Sequence, residues 1–380
     1  MSRSVMLTKL LPIPPDSGGK LRSLALLRRL RDRGDVLLCA FDDPRADHDA
    51  IRDLGVEVVT HPRPTGMFTI AGGAFHTGSI GSGRFFSGEL MQQLHAAVAR
   101  SPIDNLVVEF LQMTPYARGI KARRRVLDLH NIESSLMLSY AAARRGPASW
   151  AARAEATALR RMERRAVGEF DVVVVVSETD RLRLPAGAAS VLVCPNGFEE
   201  RPALAPFNDP VVTFVATMSW PPNTDAATWL AKDIWPRVLA HHPGARLQLV
   251  GRDPSPQVVA LSGPTVEVTG TVDQIEPYLA KTSIVVAPLR MGGGSRLKIL
   301  EALGYGRPVV ATTVGAEGLE DLVGEGVVLA DTASEFAKTV SNLLADPAEA
   351  QRIGRLGWQA IRSRYYWDTT LKPLLDQLDR

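Results

Sequence analysis

SIVVAPLRMGGGSRLKILEALGYGRPVVATTVGAEGL, residues Ser283–Leu319, is the stretch on which the fold turns. Its opening apolar, β-branched run predicts a buried strand that ends at Pro288. Three successive glycines, Gly292, Gly293 and Gly294, then make a turn, and a helix is expected to open near Ser295 and to close near Gly304 or Gly306. A second apolar run, RPVVATT, follows at once. Strand, Gly-rich turn, helix and strand form the repeating unit of a parallel sheet. Ligands of such sheets gather beyond the carboxyl ends of the strands, where helix N-termini offer free N–H groups and a positive dipole to phosphate. Arg296 and Lys298 stand at that helix start, where cations oppose the dipole, so a bound anion explains them better than helix stability does. Glu301 interrupts an otherwise apolar helix and shares a face with Lys298, Tyr305 and Gly294. Two readings of it stand. It makes a surface pair with Lys298, or it accepts ribose hydroxyls beneath a turn that holds a diphosphate.

The same alternation runs outward in both directions. In the first half SVMLTKL, DVLLCAF, VEVVT, NLVVEF, RVLDLH, DVVVVVS and SVLVCPN read as strands, with helical segments between them such as Lys20–Arg33 and the Arg-rich stretch near 149–168. The Gly-rich run Arg63–Ser87 reads as a flexible loop or flap. The rhythm restarts with VVTFVAT, ARLQLVG, TVEVTG, SIVVAPL, RPVVATT and GVVLA. Between the halves, Asn196–Pro210 has several prolines and no periodicity, which suits a linker. With 380 residues, two α/β domains are expected. We place them at 1–200 and 201–365, with the C-terminal helix 366–380 packing back on the first.

Composition is that of an ordinary globular α/β chain, 45% hydrophobic and 22% charged, which excludes disordered, collagen-like and coiled-coil classes. Cys39 and Cys194 lie in apolar strand runs and read as buried reduced thiols, and no Cys/His cluster has metal-ligand spacing. The N-terminal SVMLTKLLPIPP is broken by Lys9 and runs into prolines, so it reads as a strand rather than a signal peptide. No apolar run reaches the length of a membrane span, and a cytoplasmic protein is expected. Net charge is +3, but residues 1–190 carry +7 and the remainder −4. The excess sits at Arg28–Arg33, Lys121–Arg125 and Arg160–Arg165. It reads either as solvated helix faces or as attraction to an anionic acceptor or to the inner membrane surface as a peripheral contact. No nucleic-acid motif accompanies it, so no nucleic-acid partner is expected.

The segment GGGSRLKILEA resembles the donor-binding motif of retaining glycosyltransferases of family 4, in a bacterial subgroup with GGG[ST]RLKILEA. PIPPDSGGKLRS, VLDLHNIESS, VVVVVSETDRLRL, CPNGFE, MSWPPNTDA, LVGRDP and VATTVGAEGL resemble further stretches of that family, in its order, over nearly the whole chain. The resemblance implies a GT-B fold: two Rossmann-like domains whose parallel sheets face a central cleft, the first binding the acceptor and the second the nucleotide-sugar donor. It implies a hexosyltransferase-type enzyme that moves a sugar from a nucleotide-diphosphate sugar to a hydroxyl acceptor (glycan, lipid-linked or natural product) with retention. No cofactor and no metal are expected.

Residue by residue, the resemblance makes Glu301 the second acid of the family's E-x7-E pair, at the nucleotide ribose. Gly293 occupies the first acid's place, so backbone amides of Gly293 and Gly294 are expected to replace that side chain. The basic pair common after the first strand of the second domain is missing, with Met218 and Asn223 in its region, and its diphosphate role passes to Arg296 and Lys298. Gly18 and Gly19, and the PNG turn with Asn196, join Gly292–Ser295 as donor-side residues. His130, ending RVLDLHN, matches the family's cleft histidine and is assigned with Arg296 and Lys298 to catalysis. Arg22, Glu109 and Asn131 are acceptor-side candidates. Stabilisation of the departing diphosphate by this positive potential is the expected source of rate. A nucleotide-sugar 2-epimerase of the same fold and a non-catalytic sugar-nucleotide-binding protein are the alternatives. A dehydrogenase is disfavoured because no G-x-G-x-x-G follows the first strand.

Overall fold

The apolar runs become thirteen strands in the computed structural model, which describes residues 2–142, 145–207, 209–292 and 296–379. Packing divides the chain into two units, Met1–Pro195 with Leu371–Arg380, and Asn196–Thr370. The first contains β1 (Ser2–Leu10), β2 (Gly34–Phe41), β3 (Glu57–His61), β4 (Asn105–Glu109), β5 (Arg124–Leu129), β6 (Val172–Val175) and β7 (Val191–Val193). They pair in parallel in the order β3-β2-β1-β4-β5-β6-β7. The second contains β8 (Val211–Val215), β9 (Arg246–Val250), β10 (Val266–Gly270), β11 (Ile284–Ala287), β12 (Val309–Ala311) and β13 (Val327–Leu329), in parallel order β10-β9-β8-β11-β12-β13. Each sheet therefore reverses its winding once, between β1 and β4 and between β8 and β11. In open parallel sheets those reversal points are where ligands bind.

Burial explains the strand composition. Every residue of β4, β6, β11 and β12 is buried, as required of central parallel strands covered on both faces. Val5, Leu7, Leu106, Val108, Leu127 and Val173 anchor the first core, and Val212, Phe214, Leu247, Leu249, Ile284 and Val286 the second. Each such side chain contributes about 1.5–3 kcal/mol relative to exposure. The final helix, Lys372–Leu378, buries Leu374, Leu375 and Leu378 and belongs with the first unit, although the chain reaches it only after the second.

One expectation fails. The run Arg63–Ser87 contains the helices Met67–Thr77 and Ile80–Gly83 rather than a flexible loop. Its glycines serve close packing: a Cβ on Gly73 would lie 2.4 Å from the Gly83 carbonyl oxygen, and one on Gly83 would lie 2.4 Å from the Ala74 nitrogen. The short helix is also clamped from outside, because Glu155 accepts hydrogen bonds from the Ser79 hydroxyl (2.5 Å) and from the amides of Ile80 (3.2 Å) and Gly81 (2.8 Å).

Candidate functional site

In the first unit, polar residues gather at the winding reversal. Chain leaving β1 enters the helix Gly18–Arg31 at Gly18 and Gly19. A Cβ on Gly19 would lie 3.1 Å from Phe110 Cζ and 3.8 Å from His130 Nδ1, so this turn passes directly over those two rings. Phe110 follows β4 with φ 68°, a left-handed conformation that costs a bulky residue of order 1–3 kcal/mol and recurs at functional sites. Its ring centroid lies 3.8 Å from that of His130, and Lys9 Nζ sits 4.0 Å from it on a cation–π contact.

His130, just past β5, has Nε2 3.2 Å from Glu109 Oε1 and 3.9 Å from Asp128 Oδ2. Burial holds the imidazole down to about 3, so it is neutral at physiological pH. With Glu109 ionised the ring donates from Nε2, which leaves Nδ1, on the Gly19 side, as an acceptor. Burial pushes Glu109 up to about 7 against the opposing hydrogen bond donated by Ser23 Oγ (2.5 Å). Beneath them Arg22, with no exposed surface, donates to both oxygens of Asp128 (2.8 and 2.9 Å) and to the carbonyls of Cys194 (3.0 Å) and Pro195 (3.2 Å). Arg22, an acceptor-side candidate, is fully buried and braces Asp128 and the chain at Cys194–Pro195. Asn131 is half-buried beside His130.

Glu109, Asp128 and His130 offer ligand atoms within 4.8 Å of one another, the spacing of a metal site. A cation there would compete with the Arg22 guanidinium, which already engages both Asp128 oxygens.

In the second unit the expected donor residues flank the β8–β11 reversal. The helix Leu297–Gly304 begins after Arg296. Arg296, 7% exposed, donates from Nη2 to the Val314 carbonyl (3.1 Å) and packs under Gly292, whose added Cβ would lie 3.1 Å from that nitrogen. Gly292 has φ 137°, available to glycine at little cost. Gly293, Gly294 and Ser295 lie outside the described residues. Lys298 donates to Asn223 Oδ1 (3.0 Å) and stands 4.8 Å from the Phe214 ring centroid. Desolvation, with Arg296 beside it, lowers its ammonium to about 7. Asn223 is held in turn by the Thr217 carbonyl (2.9 Å).

Glu301 is half-buried, and among the described residues its carboxylate has neither a hydrogen bond nor an ion pair. The pair with Lys298 that was one reading of the sequence does not form. Desolvation and the nearby Glu276 carboxylate push Glu301 up to about 7. Glu276 accepts from Tyr305 (2.5 Å) and is paired with Arg201, so its charge is fixed. Asn196 is buried.

Several site residues escaped the sequence reading: Lys9, Ser23, Phe110 and Asp128 in the first unit, and Arg201, Arg252 and Glu276 in the second. Arg252, after β9, places Nε 3.4 Å from Thr217 Oγ1, and its carbonyl accepts the Met218 amide (2.9 Å). It brings positive charge to the end of β8, the region of Met218 and Asn223. The LVGRDP stretch was the available signal.

Comparison with known proteins agrees with this architecture. Residues 209–346 match the family model described as glycosyl transferases group 1. A stretch of 163 residues is 24% identical to an uncharacterized 44.6 kDa protein in the cps region of Klebsiella pneumoniae, covering 40% of this chain and 42% of that protein. The match thus spans less than half the length of that relative. Sucrose-phosphate synthase from Thermosynechococcus elongatus superposes with a TM-score of 0.70 at 18% identity, over 100% of this chain and 99% of that one. HepE from Anabaena, in complex with UDP and glucose, superposes with a TM-score of 0.69 at 18% identity, over 100% of both chains. The fold is GT-B along the whole chain, and the second unit carries a glycosyltransferase domain.

Proposed function

We propose that the chain is a retaining, metal-independent glycosyltransferase of the family 4 type. It moves a sugar from a nucleotide-diphosphate sugar to a hydroxyl acceptor, with the second unit binding the donor and the first supplying acceptor-side groups. The observation that carries this reading is the Glu301 carboxylate, without a partner among the described residues, one turn beyond Lys298 at the β8–β11 reversal. A half-buried acid with no internal partner is costly unless a ligand supplies donors, and two ribose hydroxyls do so. The complex of HepE with UDP and glucose makes uridine diphosphate sugars the first donors to try.

In this scheme the bond between the anomeric carbon and the diphosphate oxygen breaks while the acceptor oxygen bonds to that carbon on the same face. The acceptor proton passes to the departing diphosphate. Lys298, Arg296, Arg252 and the start of the Leu297–Gly304 helix meet the negative charge that builds on the leaving group. His130 stays uncharged, and while Glu109 is ionised its Nδ1 can accept a hydrogen bond from a hydroxyl and help to orient it.

Turnover of uridine diphosphate sugars, with and without glycan acceptors, tests the reading. The double variant Arg296→Ala/Lys298→Ala is expected to lower turnover by roughly 10²–10³-fold while changing donor affinity much less. Loss of affinity alone would reduce the two cations to ground-state anchors. Isomerised donor formed without acceptor would support the epimerase instead.

A further inference from the structure

The helix Pro147–Glu169 of the first unit sorts its charges by face. Two of its acids turn inward: Glu155 binds the Ser79–Gly81 backbone, and Glu163, 1% exposed, accepts from the amide (2.9 Å) and hydroxyl (2.6 Å) of Ser134. Arg160 is half-buried and donates to the Arg183 carbonyl, while Arg153, Arg161, Arg164 and Arg165 turn outward. Trp150, Arg153, Thr157, Arg161 and Arg164 recur every three or four residues, so they share one face, and all five are exposed. The stripe is about 20 Å long. Among the described residues, the side chains of Arg153, Arg161 and Arg164 have no hydrogen bond or ion pair.

Beside the stripe runs a groove of about 520 Å³ lined by Ser134, Leu138, Arg160, Leu182 and Arg183. Apolar surface accompanies the charge here: Trp150 is 73% exposed, Leu182 78% and Leu138 48%. Solvation alone accounts for a row of arginines, but it disfavours an indole and two leucines among them.

We propose that this face docks on an anionic phospholipid surface, the arginines taking headgroup phosphates while Trp150 and the two leucines enter the boundary below. A soluble polyanion would need the cations but not the apolar side chains; a charged bilayer needs both. Among the described residues no helix is long and apolar enough to cross a membrane, so the contact is with one leaflet surface. The proposal does not depend on the transfer reaction.

Sedimentation of the full chain with phosphatidylcholine vesicles, with and without phosphatidylglycerol, tests it. Binding is expected only with phosphatidylglycerol present and is expected to weaken with salt. Arg153→Gln/Arg161→Gln/Arg164→Gln lowers partitioning on the order of a hundredfold, and the triple lysine replacement retains most of it. Trp150→Ala lowers it roughly tenfold at every salt concentration. These side chains are exposed, so each variant keeps the parent melting temperature. Equal binding to pure phosphatidylcholine, or no binding to either vesicle at low salt, overturns the proposal. So does a Trp150→Ala protein that binds like the parent, which would assign the arginines to a soluble polyanion.

Discussion

The two units wind their central strands in the same order and collect polar residues at the same reversal, yet they handle charge in opposite ways. The first closes its charges on itself. Arg22 is bound to Asp128 and to two carbonyls, Glu109 is held by Ser23 and His130, and the histidine is neutral. The second leaves charge in reserve: among the described residues Glu301 has no partner, and Lys298 rests on a neutral amide. Identical topology thus supports one site whose buried charges pair with one another and one in which, among the described residues, a half-buried carboxylate has no partner. On the proposed function, the first positions and the second binds.

The sharpest way to break this contrast is to remove one partner from each site. Asp128→Ala leaves the Arg22 guanidinium buried without its counter-ion, and is expected to destabilise the chain by about 3–5 kcal/mol in denaturant unfolding. Glu301→Ala removes no internal partner. It is expected to leave the melting temperature unchanged or raised while weakening nucleotide-sugar binding by about 1.5–3 kcal/mol, read by titration calorimetry. If the two variants exchanged these phenotypes, the division between positioning and binding would collapse.

The contrast also reaches into pH dependence. Lys298, lowered from 10.5 to about 7, loses its proton in the folded chain while the unfolded chain keeps it, so its contribution to stability rises with pH between about 7 and 10.5. Glu301, raised from 4.5 to about 7, keeps a proton that the unfolded chain has released, so its contribution falls with pH between 4.5 and about 7. Together they place a minimum near neutrality in the ligand-free protein, and Glu301→Gln removes the fall on its acid side. Donor binding should reverse both shifts. Calorimetry in buffers of different ionisation enthalpy should then show proton uptake above pH 7 and release below it. A pH-independent proton balance would mean that neither group meets the ligand.

How much of this was legible from the sequence depends on range. The strands were visible because their apolar runs are local and punctuated by turn formers. Glu109 and His130 stood out because strand ends carry ligands, and Glu301 because one acid interrupts an apolar helix. Partnerships were not legible. Arg22 meets Asp128 across 106 residues and Lys298 meets Asn223 across 75, separations that no local pattern encodes. The backbone strain at Phe110 left no trace either, since NLVVEF reads simply as a strand that continues through it. Gly73 and Gly83 misled for a different reason. A glycine that admits a neighbouring backbone and one that permits motion look alike until the neighbour is known.

The return of Leu371–Arg380 to the first unit governs the order in which the molecule can be completed. A ribosome delivers the whole of Asn196–Thr370 before the leucines that finish the earlier unit. During synthesis the N-terminal sheet therefore waits with an uncovered apolar patch while its neighbour folds. Removing the last ten residues should injure the half of the protein made first, at a point in the sequence joined directly to the other half.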